Sequence, residues 1–307
     1  MQRRLFDYFI ISLKGLAMGA ADAVPGVSGG TIAFISGIYE ELITTISNVN
    51  ASLFKTLFKE GFKPFWKQLN GNFILALLIG IVISFVSFMR LAKYLIENHP
   101  ILIWSFFFGL IVASIYYVGK GITKWNFGTI LILIIGALFA YYITTLPSLA
   151  NNNSSAYLFL ASALAICAMI LPGISGAFIM IILGAYKTLS DAVHDVDIKQ
   201  LAIIIGGALV GLLTFSRVLK WLFKNYNNLT LALLTGFILG SLNKVWPWKE
   251  VLSWRTNSKG QEVPLLEQSI LPSSFEGEPQ VIYAVILMII GFFTIIILEK
   301  IGTRSNN

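Results

Sequence analysis

The chain has 307 residues and a net charge of +7, and it is 56% hydrophobic but only 12% charged. A soluble globular domain carries about 25% charged residues, so this chain lacks the polar surface to coat a water-soluble particle of its size. The basic residues flank apolar stretches, which ties them to orientation in a membrane rather than to nucleic acid. The single cysteine, Cys167, excludes an internal disulfide and a multi-cysteine metal site and reads as a small packing residue. No cofactor is called for.

The opening MQRRLFDYF is not followed by a small-residue cleavage site, and apolar character continues past residue 40, so it reads as a retained first segment. A long apolar segment at 8–46 is interrupted by PGVSGG, and helical spans follow near 72–96, 101–119 and 127–146. A second broken segment, 156–190 around PGISG, precedes spans near 200–222, 229–246 and 281–300. Residues 72–89, 125–155, 156–186 and 281–298 hold no Asp, Glu, Lys or Arg. About 20 apolar residues cross a bilayer core as a helix, so the fold expected is an all-α integral membrane protein. Each broken segment has two arms of roughly 15–17 residues, shorter than a full span at about 1.5 Å per residue. Such a segment reads as a re-entrant hairpin with its tip at membrane depth.

The two halves repeat each other. PGVSGGTIAFISGIYEELI (25–43) aligns with PGISGAFIMIILGAYKTLS (172–190), pairing Pro25 with Pro172, Ser28 with Ser175, Gly29 with Gly176, Gly37 with Gly184 and Tyr39 with Tyr186. FMRLAKYLIEN (88–98) aligns with FSRVLKWLFKN (215–225), pairing Arg90 with Arg217 and Lys93 with Lys220. Gly109 then pairs with Gly236, Ser114 with Ser241, and Gly136 with Gly291. The first repeat is placed at 1–146 and the second at 156–300, with the segment 247–280 as an external loop. A hairpin does not change sides and three spans do, so the second copy is inverted. The cytoplasmic loops then hold Lys55, Lys59, Lys63, Lys67, Lys120, Lys124, Lys224, Lys300 and Arg304, with both termini cytoplasmic. The opposite side receives PSLANNNSSA, Asp191, Asp195, Asp197 and the five glutamates of 247–280.

Inverted repeats with paired broken helices are the pattern of secondary transporters, which hold substrate at the repeat interface. Here the breaks suit an anion. Pro25 and Pro172 end the first arm, while Gly26, Gly29, Gly30, Gly173 and Gly176 permit a tight turn. The second arm starts with unpaired N–H groups, and Ser28, Thr31 and Ser175 add hydroxyls. The competing reading is that these small residues only let the hairpins pack closely. Arg90 and Arg217 offer planar donor forks suited to phosphate, one toward each face; alternatively both snorkel to headgroups, as Lys93 and Lys220 do. Asp22, where the second copy has Met169, is a candidate proton carrier or a cap of the turn. Lys14 faces a polar cavity or snorkels. Glu40, Glu41, His99 and His194 read as solvated.

GLAMGAADAVPGVSGGTIAFISGIYEELI, with ILPGISGAFIMIILGAYKTLSDAV, closely resembles the polyprenyl-phosphate (undecaprenyl-phosphate) translocase family of the PopT type, over nearly the entire chain. The resemblance implies transport of undecaprenyl phosphate, the carrier lipid of bacterial envelope polysaccharides, from the outer to the inner leaflet of the cytoplasmic membrane for reuse. Carried onto this chain, Ser28, Gly29, Gly30, Ser175 and Gly176 would hold the phosphate, assisted by Arg90 and Arg217. A homo-oligomer is compatible with this reading.

Two other functions compete. GVSG (26–29) and GISG (173–176) match the surroundings of an intramembrane serine nucleophile, but neither histidine lies in an expected span to serve as base. A transporter of a small soluble anion would use the same tips with a path closed off from lipid. No phosphate-binding loop of the G-x-x-x-x-G-K-[ST] type is present, so any drive comes from a gradient or from the lipid's own imbalance.

Overall fold

A computed structural model describes residues 3–22, 28–146, 149, 154–256 and 262–304. Pro25 and Gly26 lie outside the described residues, as do the side chains of Arg90, Lys93 and His194. The first half runs α1 (Leu5–Asp22), α2 (Gly29–Ile35), α3 (Tyr39–Ser47), α4 (Ala51–Glu60), α5 (Phe62–Gln68), α6 (Gly71–Asn98), α7 (Pro100–Lys120) and α8 (Phe127–Thr145). The second runs α9 (Ser155–Ile170), α10 (Gly176–Ile182), α11 (Tyr186–His194) and α12 (Ile198–Val245), then β1 (Lys249–Thr256), β2 (Glu262–Ser269) and α13 (Val281–Arg304). Among the described residues, α7, α8 and α12 are each long and apolar enough to cross a membrane. The number of spans rises to five if each sharply bent helix pair is one span.

Helices occupy the stretches expected as spans to within a few residues, and three features depart from the sequence reading. First, the arm after each Pro-Gly break is not one helix. It is a seven-residue helix, α2 or α10, followed by a nine-residue helix, α3 or α11. Gly37 (φ +73°) and Gly184 (φ +64°) impose the stop. Around Gly37, the Gly37 N–H donates to the Phe34 carbonyl and Ile38 N–H to that of Ala33. Around Gly184, the Gly184 N–H donates to Ile181 and Ala185 N–H to Met180. This pair of bonds is the Schellman motif, which a left-handed glycine closes without steric cost. In the second half, α10 and Tyr186–Val193 meet at 112°. Seven residues rise only about 10 Å.

Second, the expected spans 200–222 and 229–246 are two helices joined with no loop between them, at a break at Tyr226 (φ −136°, ψ 46°), and are labelled together as α12. His99, between α6 and α7, adopts nearly the same conformation (φ −137°, ψ 52°). Third, the segment 247–280 is not plain loop. It holds the antiparallel pair β1–β2, with a register shift near Ser253. Strand-forming Val251, Trp254, Thr256 and Val263 lie there among polar residues, outside the apolar spans. Residues 47–71 likewise fold, into α4 and α5, and Asn50 caps α4 by accepting the Leu53 N–H at 3.1 Å.

The long helices pack as α1 with α6, α7 with α13, and α8 with α12. Glycine permits the last two approaches. A Cβ on Gly109 would enter the Met288 carbonyl, and one on Gly291 that of Phe106. Across α8 and α12, a Cβ on Gly136 would enter the Leu233 carbonyl, and one on Gly236 that of Leu133. Small residues at such contacts let helix backbones close without a hydrophobic drive. Gly109 aligns with Gly236 and Gly136 with Gly291, so one closure occurs twice with the sequence halves exchanged.

Candidate functional site

α1 ends at Asp22 and α9 at Ile170, and the residues after each break meet one another in the centre of the fold. Ser28 is extended (φ −122°, ψ 129°) and caps α2, its Oγ accepting the Gly30 N–H at 3.2 Å. The same hydroxyl faces the carbonyls of Met169 and Leu171, both at 3.3 Å, and donates toward them. Thr31 Oγ1 accepts the Gly173 N–H at 2.9 Å, and the Tyr39 hydroxyl donates to the Ile170 carbonyl at 3.1 Å. Ser28, Thr31 and Tyr39 are buried. The first break therefore clasps the second through residues 169–173. Gly30 makes this possible, because a Cβ there would lie 2.6 Å from the Ile170 carbonyl oxygen.

The sequence reading expected bare N–H groups at both tips, and at the first tip they are taken. Asp22 Oδ1 accepts the Gly29 N–H at 2.7 Å, and Ser28 takes that of Gly30. The Thr31 N–H donates to the Ser28 carbonyl at 3.0 Å. Of the two roles weighed for Asp22, the capping geometry is the one observed. A short helix with exposed N–H groups attracts a carboxylate as readily as a phosphate.

At the second tip Met169 stands where the first has Asp22, and no carboxylate follows α9. Gly173 has φ +85° and rests against the backbone of Ile238. Ser175 has the same extended backbone as Ser28 (φ −93°, ψ 127°), but its side chain makes no cap bond to α10. It is half-buried and lines a narrow cleft with Thr144, Phe178, Ser241 and Lys244. Lys244 was missed in the sequence reading. Its Nζ lies 4.9 Å from the Phe178 ring centre and 3.3 Å from Glu267 Oε2 on β2.

Arg217 is not at the tips in this conformation. Arg217 Nη2 donates to the Val49 carbonyl at 2.9 Å, and Lys220 Nζ to Asn48 Oδ1 at 3.2 Å. Both close over the C-terminal end of α3, where free carbonyls and the helix dipole favour cations. Arg90 belongs to α6, and its side chain is outside the described residues. Lys14 turns inward, donating to the Ser36 carbonyl at 2.8 Å and so capping the C-terminal end of α2. Cys167 packs on α12 with its thiol toward the Gly211 carbonyl, 3.6 Å away.

A family model described as undecaprenyl phosphate translocase-like matches residues 18–263. A polyprenyl-phosphate transporter of Vibrio cholerae is 45% identical over 99% of this chain and 100% of its own length. A protein of the same name from Staphylococcus aureus is 32% identical over 76% of this chain and 85% of its own. No solved structure matches the chain.

Proposed function

The chain belongs to the undecaprenyl phosphate translocase-like family, and from that membership we propose that it carries a polyprenyl monophosphate between the leaflets of the bacterial cytoplasmic membrane. The family is one of transporters and not of enzymes. In this reading the chain is an inverted-topology repeat, 1–146 and 156–300, and each Pro-Gly break is the tip of a re-entrant hairpin. Matching helix lengths at α2 and α10 and at α3 and α11, matching torsions at His99 and Tyr226, and the twice-made glycine closure support the repeat. Both termini and the lysine-rich α4–α5 segment would face the cytoplasm, with β1–β2 outside.

The single observation that carries the phosphate site is the meeting of the tips through Ser28, Thr31 and residues 169–173. The phosphate sits between them while the prenyl chain stays in lipid, so the tail needs no sealed channel. Ser175 and the Gly176 N–H bind from the open side. Asp22 occupies the first tip until the phosphate replaces it at Gly29, and a proton taken up by Asp22 frees that N–H. Thr31 and Gly30 complete the first side. Arg90 and Arg217 act near the two faces, Arg217 from beside Val49. Rocking of one repeat against the other alternates access.

The test is leaflet exchange of labelled undecaprenyl phosphate in liposomes holding the full chain. Ser28→Ala, Arg90→Ala and Arg217→Ala are each expected to slow exchange by about tenfold, the loss of roughly one charge-assisted or capping bond. Wild-type rates in all three variants would remove the site. Absence of exchange by wild type across a range of pH gradients would remove the lipid substrate, and uptake of free phosphate instead would favour a soluble-anion carrier.

A further inference from the structure

The end of α12 and the β1–β2 pair bring two lysines onto one carboxylate oxygen. Lys244 Nζ lies 3.3 Å and Lys249 Nζ 3.5 Å from Glu267 Oε2. Both distances exceed the roughly 2.7–2.9 Å of a tight charge-assisted bond, so one oxygen is stretched between two ammonium groups. The cluster keeps one positive charge in excess. The Lys249 side chain is only 9% exposed, with the Trp104 ring 4.4 Å away, and it donates its other bond to the Lys244 carbonyl at 2.8 Å. Retaining an under-neutralised, nearly buried ammonium is costly unless a further anion visits it.

Lys244 is also a wall of the cleft that ends on Ser175, so the surplus charge and the uncapped hydroxyl face the same space. That space has room for little more than one water molecule. The other hydroxyls there are engaged: Ser241 donates to Ile238, and Thr144 donates to Tyr141 and accepts from Asn243. The strand pair itself is fixed. Ser269 donates to Asn243 Oδ1 at 2.8 Å, Trp246 Nε1 to Ile270 and Trp248 Nε1 to Pro279, each at 2.8 Å. Glu267 lies two residues from the Ser269 tie and outside the cleft wall, so a rotation of its side chain releases Lys244, which is in that wall, without moving the sheet.

We propose that Lys244 and Ser175, with Lys249 joined to Lys244 through their shared carboxylate, form an admission site for a phosphate monoester, and that Glu267 occupies the lysines at rest as a built-in substitute anion. A phosphate brings several oxygens where Glu267 offers one, so it can bond both lysines and the serine at once. The site deepens the transport reading and rests on it for the lipid form of the ligand.

The test uses the purified full chain in detergent, with binding of labelled undecaprenyl phosphate measured directly and inorganic phosphate measured in a parallel arm. Lys244→Gln and Ser175→Ala are expected to weaken lipid binding, Lys244→Gln by about tenfold or more. Glu267→Gln is expected to strengthen it several-fold, a gain that no folding defect produces. Wild-type affinity in Lys244→Gln and Glu267→Gln, with lipid still bound, would overturn the admission site and leave the transport reading standing. Inorganic phosphate bound with the same dependence on Lys244 and Glu267, and no lipid bound, would keep the site and overturn the lipid reading. Binding of neither ligand by wild type would overturn both.

Discussion

At the first break Asp22 holds the Gly29 N–H and Ser28 holds that of Gly30; at the second, Met169 replaces Asp22 and Ser175 caps nothing. The surrounding architecture is otherwise shared, from the seven-residue helix after each tip to the left-handed glycine that ends it. With the backbone so alike at the two breaks, one side chain decides whether the N–H groups there are occupied by the protein itself. The filled tip is buried and clasps its partner, while the open tip borders a cleft with a lysine in its wall. A site of this kind separates the tasks of holding the halves together and of receiving a ligand.

The change that breaks the comparison most severely is Gly30→Val, which drives a branched side chain into the Ile170 carbonyl and parts the tips. Leaflet exchange is expected to vanish and thermal unfolding in detergent to show destabilisation of about 1–3 kcal/mol. Met169→Asp copies the first tip's carboxylate into the second. It is expected to weaken lipid monophosphate binding by about tenfold, through like-charge repulsion and competition for the Gly176 N–H; unchanged binding would mean the second tip is not the receiving side. Tyr39→Phe removes only the bond to Ile170. A loss of about 1 kcal/mol is expected, read as a small drop in unfolding temperature with exchange retained.

The mildest effect lies beside the strand pair, beyond the end of α12. Burial lowers the Lys249 ammonium to about 8, with the Glu267 carboxylate opposing the shift. The free side chain titrates near 10.4, so between these values the unfolded chain binds the more protons and stability rises with pH. Below about pH 8 this contribution is flat. Unfolding temperature is therefore expected to climb modestly from pH 8 to pH 10 in wild type and not in Lys249→Met.

Apolar run lengths, the Pro-Gly punctuation and the internal alignment made the helices legible in the sequence, because burial in lipid imposes long uniform patterns. The seven-residue limit on α2 and α10 was visible only as a matched glycine, since a left-handed stop has the same sequence mark as a small packing residue. The inequality of the two breaks was visible as Asp22 against Met169, but which of its two roles Asp22 plays in this conformation was not. It depends on Asp22 reaching seven residues along the chain, across a break, to Gly29. Lys244 stands three residues after Ser241 on one helix face, a spacing that marks a shared surface but does not identify the surface. Glu267 was one of five glutamates in a mixed segment, and nothing local tells which of them folds back on a lysine. The β1–β2 pair carried a weak strand signal in Val251, Trp254, Thr256 and Val263, which Pro264 and the length of the segment obscured.

The most direct measurement is an electron cryomicroscopy map of the full chain in nanodiscs loaded with undecaprenyl phosphate. Headgroup density is expected within about 4 Å of Ser175 and Lys244, hydrogen-bond reach of both, with Asp22 still on Gly29 in the resting state. Unbroken helices through both Pro-Gly positions, or a headgroup seated at Gly29 while the Ser175 cleft stays empty, would contradict the account.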